Sequence, residues 1–169
     1  KDITFSVTMF GLVKKDKAIL RAGAKKNDNV YITGFPGLSG AGLYILMNKI
    51  RPNKNFQKYL IMKHLVPSII RDKNLLKKIF DNANCMIDIS DGLSSELNHI
   101  SIESGKKIII EKELIPIDKN LLIFCKKYNQ DIFKNIFSNG EDYHLLFTSD
   151  KDIKDKNIFK IGKVVDGEG

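Results

Sequence analysis

Cys85-Met86-Ile87-Asp88-Ile89-Ser90-Asp91-Gly92-Leu93 decides the fold. Its first three residues form a short apolar run bounded by polar ones, which reads as a buried strand. From Leu93 to Glu103 the apolar residues Leu93, Leu97 and Ile100 recur at helical spacing, and Gly105 sits where a left-handed C-cap is wanted. A strand therefore runs into a helix through an acidic turn. That turn carries two carboxylates three residues apart, a hydroxyl between them and a glycine at the helix entrance. Hard cations such as magnesium take oxygen ligands, usually one or two carboxylates completed by phosphate and water. The free N–H groups and positive dipole end of a helix N-terminus suit a phosphate. The same residues also allow a plainer account, in which Asp91 or Ser90 caps the helix and Asp88 is a solvated strand end. The turn alone leaves both open.

Downstream of this turn, Lys106 to Lys112 reads as a strand centred on Ile108-Ile109-Ile110, and Asp118 can cap a helix carrying Leu121, Leu122 and Phe124. After Ser138-Asn139-Gly140-Glu141-Asp142, the residues Tyr143, Leu145 and Phe147 alternate as a strand, and Ile158 to Val165 is a last one. Upstream, Asp72 to Ala83 is expected as a helix with Leu75, Leu76, Ile79 and Phe80 on one stripe, and Phe56 to Leu65 as a helix halting before Pro67. Leu38 to Lys49 is a third, whose small residues Ser39, Gly40, Ala41 and Gly42 let its first turn approach another backbone closely. Val30 to Thr33 is a short strand stopped by Gly34-Phe35-Pro36-Gly37. Arg21 to Asp28 is a polar loop. Ile3, Phe5, Val7 and Met9 alternate with Thr4, Ser6 and Thr8 as a strand with one buried face, closed by the charged turn Lys14 to Lys17. Strands and helices mix without a strict βαβ rhythm, which argues for an α+β layered domain.

Composition narrows the function classes. The chain has 169 residues, 43% hydrophobic and 28% charged, which fits one folded domain rather than a disordered segment. No apolar run approaches the roughly 20 residues of a membrane-spanning helix. Lys1-Asp2-Ile3-Thr4 shows no signal-peptide pattern, and Cys85 and Cys125 form no close pair, so a reducing, cytoplasmic setting is expected. The net charge of +8 rests almost wholly on scattered lysines, with Arg21, Arg51 and Arg71 the exceptions. Nucleic-acid readers lean on clustered arginines and interleaved aromatics, so no nucleic-acid partner is expected. His64, His99 and His144 are isolated and read as structural or surface residues, with His144 pointing outward from its strand. Neither a Gly-x-x-x-x-Gly-Lys-Ser/Thr loop nor a Gly-x-Gly-x-x-Gly occurs. Two further candidates remain. Gly140-Glu141-Asp142-Tyr143 places an acidic pair before a strand, which on its own is ordinarily a solvated turn. Arg21 is a lone arginine in a glycine- and alanine-rich loop: the forked donor that phosphates prefer, or a surface residue.

Taken in order, these pieces resemble the thiamine-monophosphate kinases, within the wider aminoimidazole-ribonucleotide-synthetase-like superfamily. Arg21-Ala22-Gly23-Ala24-Lys25-Lys26-Asn27-Asp28 matches an Arg-x-Gly-Ala-Lys-x-x-Asp stretch. Val30 to Gly34 matches the family's next strand and glycine, and Gly40-Ala41-Gly42-Leu43 its small-residue helix start. His64-Leu65-Val66-Pro67 matches a helix ending in His-x-x-Pro, and Met86 to Leu93 carries the Asp-Ile-Ser-Asp-Gly-Leu signature. Gly140-Glu141-Asp142-Tyr143, with Leu145, Leu146, Phe147 and Thr148, resembles the Gly-Glu-Asp-Tyr segment, and Ile161-Gly162 with Val164 the strand beyond. Departures are local: Asn139 stands for a usual glycine, His144 for an acid, and Pro36 with Leu38-Ser39 alters a usual Leu-Gly-Asp.

The resemblance implies a C-terminal synthetase-like α+β domain over residues 14–169 without the family's final tail, and residues 1–13 as the last strand of an N-terminal ATP-binding domain. It implies magnesium at Asp88 and Asp91, ATP against Arg21 and Ser90, and thiamine monophosphate against Glu141. It further implies a homodimer built through the N-terminal domain. The implied reaction moves the γ-phosphoryl of ATP to thiamine monophosphate. Two other readings stand beside it: another ATP-dependent enzyme of the same superfamily, and a non-catalytic ligand-binding module.

Overall fold

The computed structural model describes residues 3–167; Lys1, Asp2, Glu168 and Gly169, and the expectations that touch them, lie outside the described residues. Strands β1 (Asn29–Thr33), β2 (Cys85–Asp88), β3 (Lys107–Ile110), β4 (Leu145–Ser149) and β5 (Ile158–Val165) form one sheet in the order β2-β4-β1-β5-β3. Every neighbouring pair is antiparallel. This is the mixed helix-and-sheet architecture expected, without βαβ crossovers between adjacent strands.

Side-chain alternation splits the core across the sheet. Val30, Ile32, Cys85, Leu146, Ile161 and Val164 face helices α1 (Leu38–Met47), α2 (Asn55–Leu65), α4 (Leu93–Ser104), α5 (Lys119–Tyr128) and α6 (Ile132–Ser138). Tyr31 and Phe147 turn to the other face, under Leu75 and Ile79 of α3 (Lys73–Phe80). There the two rings stack at 5.3 Å, and the Tyr31 hydroxyl donates to the Lys151 carbonyl at 2.9 Å. With both faces covered, β1 is buried from Val30 onward. Each fully buried Ile or Leu is worth about 1.5–3 kcal/mol against solvent exposure.

Local signals explain most helix ends. Asp72 accepts from the N–H groups of Asn74 and Leu75, Asp118 from that of Asn120, and Gly105 closes α4 at φ 57°. Helix α6, which apolar periodicity does not foreshadow, is only 7 residues long and starts on an Asp131 cap. The small-residue start of α1 serves the close packing expected of it: a Cβ on Gly42 would overlap the Leu60 carbonyl of α2. Asp28, the last residue of the Arg-x-Gly-Ala-Lys-x-x-Asp stretch, is buried and structural. Its carboxylate accepts from the Lys25 N–H, the Asn84 amide and the Thr148 hydroxyl, tying the entry of β1 to β4 and to the residue before β2.

The N-terminal stretch stands apart from the sheet. Residues 3–13 carry no secondary structure, and Ile3, Phe5, Val7 and Met9 are each at least 80% exposed. The alternation is real, but among the described residues no strand of the sheet lies beside it to take its backbone hydrogen bonds, and an unpaired strand is not stable in water. Among the described residues no helix is long and apolar enough to cross a membrane.

Candidate active site

Antiparallel pairing determines where the acidic turns go. Asp88, the last residue of β2, stands opposite Leu145, the first of β4, so the exit of one strand and the entry of the other share an edge. The ladder continues beyond both strands. The Ile89 N–H donates to the His144 carbonyl (2.8 Å), the Tyr143 N–H to that of Ile89 (2.9 Å) and the Glu141 N–H to that of Ser90 (2.7 Å). β1 also pairs antiparallel with β4, so it runs parallel to β2 and its exit loop into α1 reaches the same edge.

Backbone geometry fixes this junction. Glu141 and Tyr143 adopt left-handed conformations at φ 61° and 52°, which cost about 1–3 kcal/mol each for non-glycine residues and are typical of functional loops. Between the two turns there is no room for a side chain at Gly140, where a Cβ would overlap the Ser90 carbonyl. Asp142 points the opposite way from its exposed neighbour Glu141. It is buried, and its two oxygens accept from the N–H groups of Gly37 (2.5 Å) and Ser39 (3.0 Å), closing the N-terminus of α1. Burial pushes its carboxyl up to about 6, against the pull of those N–H groups and of the Lys63 charge.

The Ser90-Asp91 turn is held by a residue that spacing did not single out. Glu96, 2% exposed on the first turns of α4, accepts through Oε1 from the Asp91 N–H (2.9 Å), the Ser90 N–H (3.3 Å) and the Ser90 hydroxyl (3.3 Å). Gly92, at φ 126°, is the N-cap, and no side chain caps α4. The capping account of Ser90 and Asp91 therefore does not hold. Asp88 and Asp91 are both exposed, and neither carboxylate enters a hydrogen bond or ion pair with the described residues. No group of three or more His, Cys, Asp or Glu is placed to hold a metal among the described residues. A cation at this turn would draw most of its ligands from phosphate and water.

A cleft of about 480 Å³ opens here, lined by Ser90, Asp91 and Glu141 together with Ser39, Tyr44 and Lys134. Ser90, Asp91 and Glu141 are thus brought together, and Asp88 ends the strand beside them. Arg21 is elsewhere. Its guanidinium pairs with Glu103 at 3.1 Å, and the N–H groups of Gly23 and Ala24 donate to Ser104 at the C-terminal end of α4. A helix of 12 residues is about 18 Å long, so Arg21 and the acidic turn mark opposite ends of α4.

Two histidines depart from expectation. His64 is not isolated: its Nδ1 lies 3.0 Å from the Ser39 hydroxyl and 3.3 Å from Glu141 Oε2. His144 does not point outward. It precedes β4, packs against Gly34, and is pushed down to about 4 by burial and by the Lys63 charge.

No protein-family model matches the chain. It is 34% identical over 171 residues to the thiamine-monophosphate kinase of Aquifex aeolicus (strain VF5), a match covering 100% of this chain and 55% of that protein. Against the thiamine-monophosphate kinase of Buchnera aphidicola subsp. Acyrthosiphon pisum, identity is 40% over 161 residues, covering 94% of this chain and 47% of that protein. A solved structure described as AaThiL complexed with AMPPCP and TMP superposes with a TM-score of 0.83 at 37% identity, over 89% of this chain and 49% of that one. The chain spans about half the length of the curated relatives it matches. By sequence and by fold, this chain is the counterpart of the C-terminal portion of the thiamine-monophosphate kinases.

Proposed function

We propose that the chain supplies the acidic turn and the acceptor-side cleft of a thiamine-monophosphate kinase, which transfers the γ-phosphoryl of ATP to thiamine monophosphate and releases ADP and thiamine diphosphate. The observation that carries this reading is the convergence of Ser90, Asp91 and Glu141 on one cleft at the end of β2. The AMPPCP and TMP bound in the similar solved structure support the same donor and acceptor here.

The donor set fits magnesium as phosphoryl-transfer enzymes use it. Asp88 and Asp91 are uncommitted, exposed oxygen ligands, too few for an all-protein cage and suited to an ion shared with phosphate. When bound, that ion would neutralise charge gathering on the transferred group. The other tasks belong to the chain. Ser90, whose hydroxyl proton goes to Glu96, presents its remaining oxygen lone pairs toward the nucleotide, and Glu141 offers a carboxylate to the cationic thiamine. The left-handed loop fixes the distance between them before substrate arrives, which is where positioning contributes to rate. Arg21, at the far end of α4, would meet ATP through a part remote from the γ-phosphate. The same reading makes the full-length enzyme a cytoplasmic homodimer, paired through an N-terminal domain whose last strand is residues 1–13, with residues 14–169 as the C-terminal domain.

The test follows thiamine diphosphate by chromatography, with ATP, magnesium and thiamine monophosphate supplied to the full-length enzyme and to this chain alone. Product is expected from the first and not the second, because phosphoryl transfer needs all its ligands positioned at once. No product from the full-length enzyme would refute the function. Product from this chain alone would refute the division of labour.

A further inference from the structure

Resting on that reading of the cleft, we propose that His64 is the positioning residue for Glu141: it donates from Nδ1 to Glu141 Oε2 and so sets the direction in which the carboxylate meets the thiamine moiety.

The chemistry of the contact decides where the proton sits. His64 Nδ1 has two neighbours, the Ser39 hydroxyl at 3.0 Å and Glu141 Oε2 at 3.3 Å. A carboxylate only accepts, so a hydrogen bond between the two requires the hydrogen on Nδ1; a bare Nδ1 would set two lone pairs against each other at 3.3 Å. The Ser39 oxygen then shares that hydrogen or receives the edge of the ring, and its own proton is free to turn elsewhere. Ser39 and Glu141 meet the same ring nitrogen. The cluster therefore cannot work as a nucleophile–base–acid relay, which needs its hydroxyl and its acid on opposite ring nitrogens. What remains is orientation.

Burial shows which partner holds which. The His64 side chain is 16% exposed and that of Glu141 55%, so the ring is the anchor and the carboxylate the group half in solvent. The anchor is itself fixed. Ser39 is buried on the first turn of α1, where its backbone N–H is bound by buried Asp142. His64 stands on the last turn of α2, whose Leu60 carbonyl abuts Gly42 of α1 with no room for a side chain between them. Glu141 has no such support for its side chain. Its backbone is pinned by the Ser90 carbonyl, but among the described residues its carboxylate is held only through Oε2, by His64. Oε1 stays available to a ligand in the cleft that Glu141 lines. A long side chain on a left-handed backbone position would otherwise sample several rotamers, and ordering it on binding costs affinity.

Two measurements decide the proposal. In this chain, with histidine labelled with nitrogen-15, long-range proton–nitrogen correlation should report His64 with Nδ1 protonated, and Glu141→Gln should shift that nitrogen's resonance while leaving His99 unmoved. An Nε2-protonated, Nδ1-bare ring, or a resonance blind to Glu141→Gln, would overturn it. In the full-length enzyme, His64→Ala and His64→Gln should raise KM for thiamine monophosphate about tenfold, the loss of one charge-assisted hydrogen bond, with KM for ATP unchanged. His64→Asn, whose amide nitrogen falls near the Nδ1 position, should restore most of the loss. Adding Glu141→Gln to His64→Ala should cost little beyond Glu141→Gln alone. Equal KM values in Asn, Gln and Ala variants that melt as the parent does would refute positioning. If the parent proves inactive on thiamine monophosphate while the ring resonance still follows Glu141, the substrate assignment falls and the orientation of Glu141 stands.

Discussion

Asp142 and His144 offer a test of the site that needs no substrate. They are separated by one residue, Asp142 is buried and His144 half-buried, and both feel Lys63, yet desolvation moves them in opposite senses. The Asp142 carboxyl is pushed up from an ordinary 3.8 to about 6. Between those values the folded chain keeps a proton the unfolded chain has released, so this group's contribution to stability falls as pH rises through the window. Its size, at about 1.4 kcal/mol for each tenfold step, is about 3 kcal/mol. His144 is pushed down from 6.5 to about 4. Here the unfolded chain takes a proton the folded chain refuses, so stability is lost as pH falls, again by about 3 kcal/mol. The two slopes nearly cancel in the parent between pH 4 and 6.5.

Single substitutions should expose them. Relative to the parent, Asp142→Asn should gain about 3 kcal/mol as pH rises from 4 to 6.5, whatever constant penalty its altered hydrogen bonds to Gly37 and Ser39 impose. His144→Asn should lose about as much over the same rise. The chain has no tryptophan, so urea unfolding would be followed by circular dichroism or tyrosine emission at half-unit steps of pH. Differences from the parent that stay constant with pH, or that slope the same way in both variants, would refute the burial effect.

Other outcomes concern the acidic turn and the N-terminal stretch. In the full-length enzyme, Asp91→Asn should lower kcat on the order of 100-fold with unfolding unchanged, since the side chain is exposed and makes no hydrogen bond or ion pair among the described residues; parental activity at limiting magnesium would remove it from the metal site. Glu96→Ala should destabilise this chain by about 2 kcal/mol by stranding the Ser90 and Asp91 N–H groups, while Glu96→Gln, which keeps an acceptor, should cost about half that. Equal losses by urea titration would mean that the charge, not the acceptor, matters. Deleting residues 3–12 should move stability by less than about 0.5 kcal/mol, because the large apolar side chains of the segment are all exposed; a larger loss would show that the stretch contributes to the fold.

The sequence carried the elements well where the signal was local. Strand β2, helix α4, the Gly105 C-cap and the Asp118 cap each rest on a few adjacent residues, and each stands in the structure near its expected bounds. Ser90, Asp91 and Glu141 were also legible as candidates, through the motifs they sit in, and they converge on one cleft. The strand at residues 3–9 shows where such reading stops. Period-2 alternation reports a face that could be buried, but a strand exists only if a partner supplies the other half of its hydrogen bonds.

Glu96, His64 and Asp142 escaped for a different reason. His64 and Asp142 act on residues far from them in sequence, Glu96 reaches back only five and six residues to Asp91 and Ser90, and none carries a spacing that marks its target. The Glu141-Asp142 pair makes the point most directly. Two adjacent acids before a strand read as one solvated turn, yet one is exposed at the cleft and the other buried under α1. Strand periodicity assigns neighbours to faces only while the backbone stays extended. Left-handed conformations at Glu141 and Tyr143 interrupt that alternation just before β4, so extrapolating it backward from Leu145 gives the wrong side for His144, which turns inward against Gly34. The backbone strain that fixes this loop is therefore the same feature that hides its geometry from a reading of the sequence.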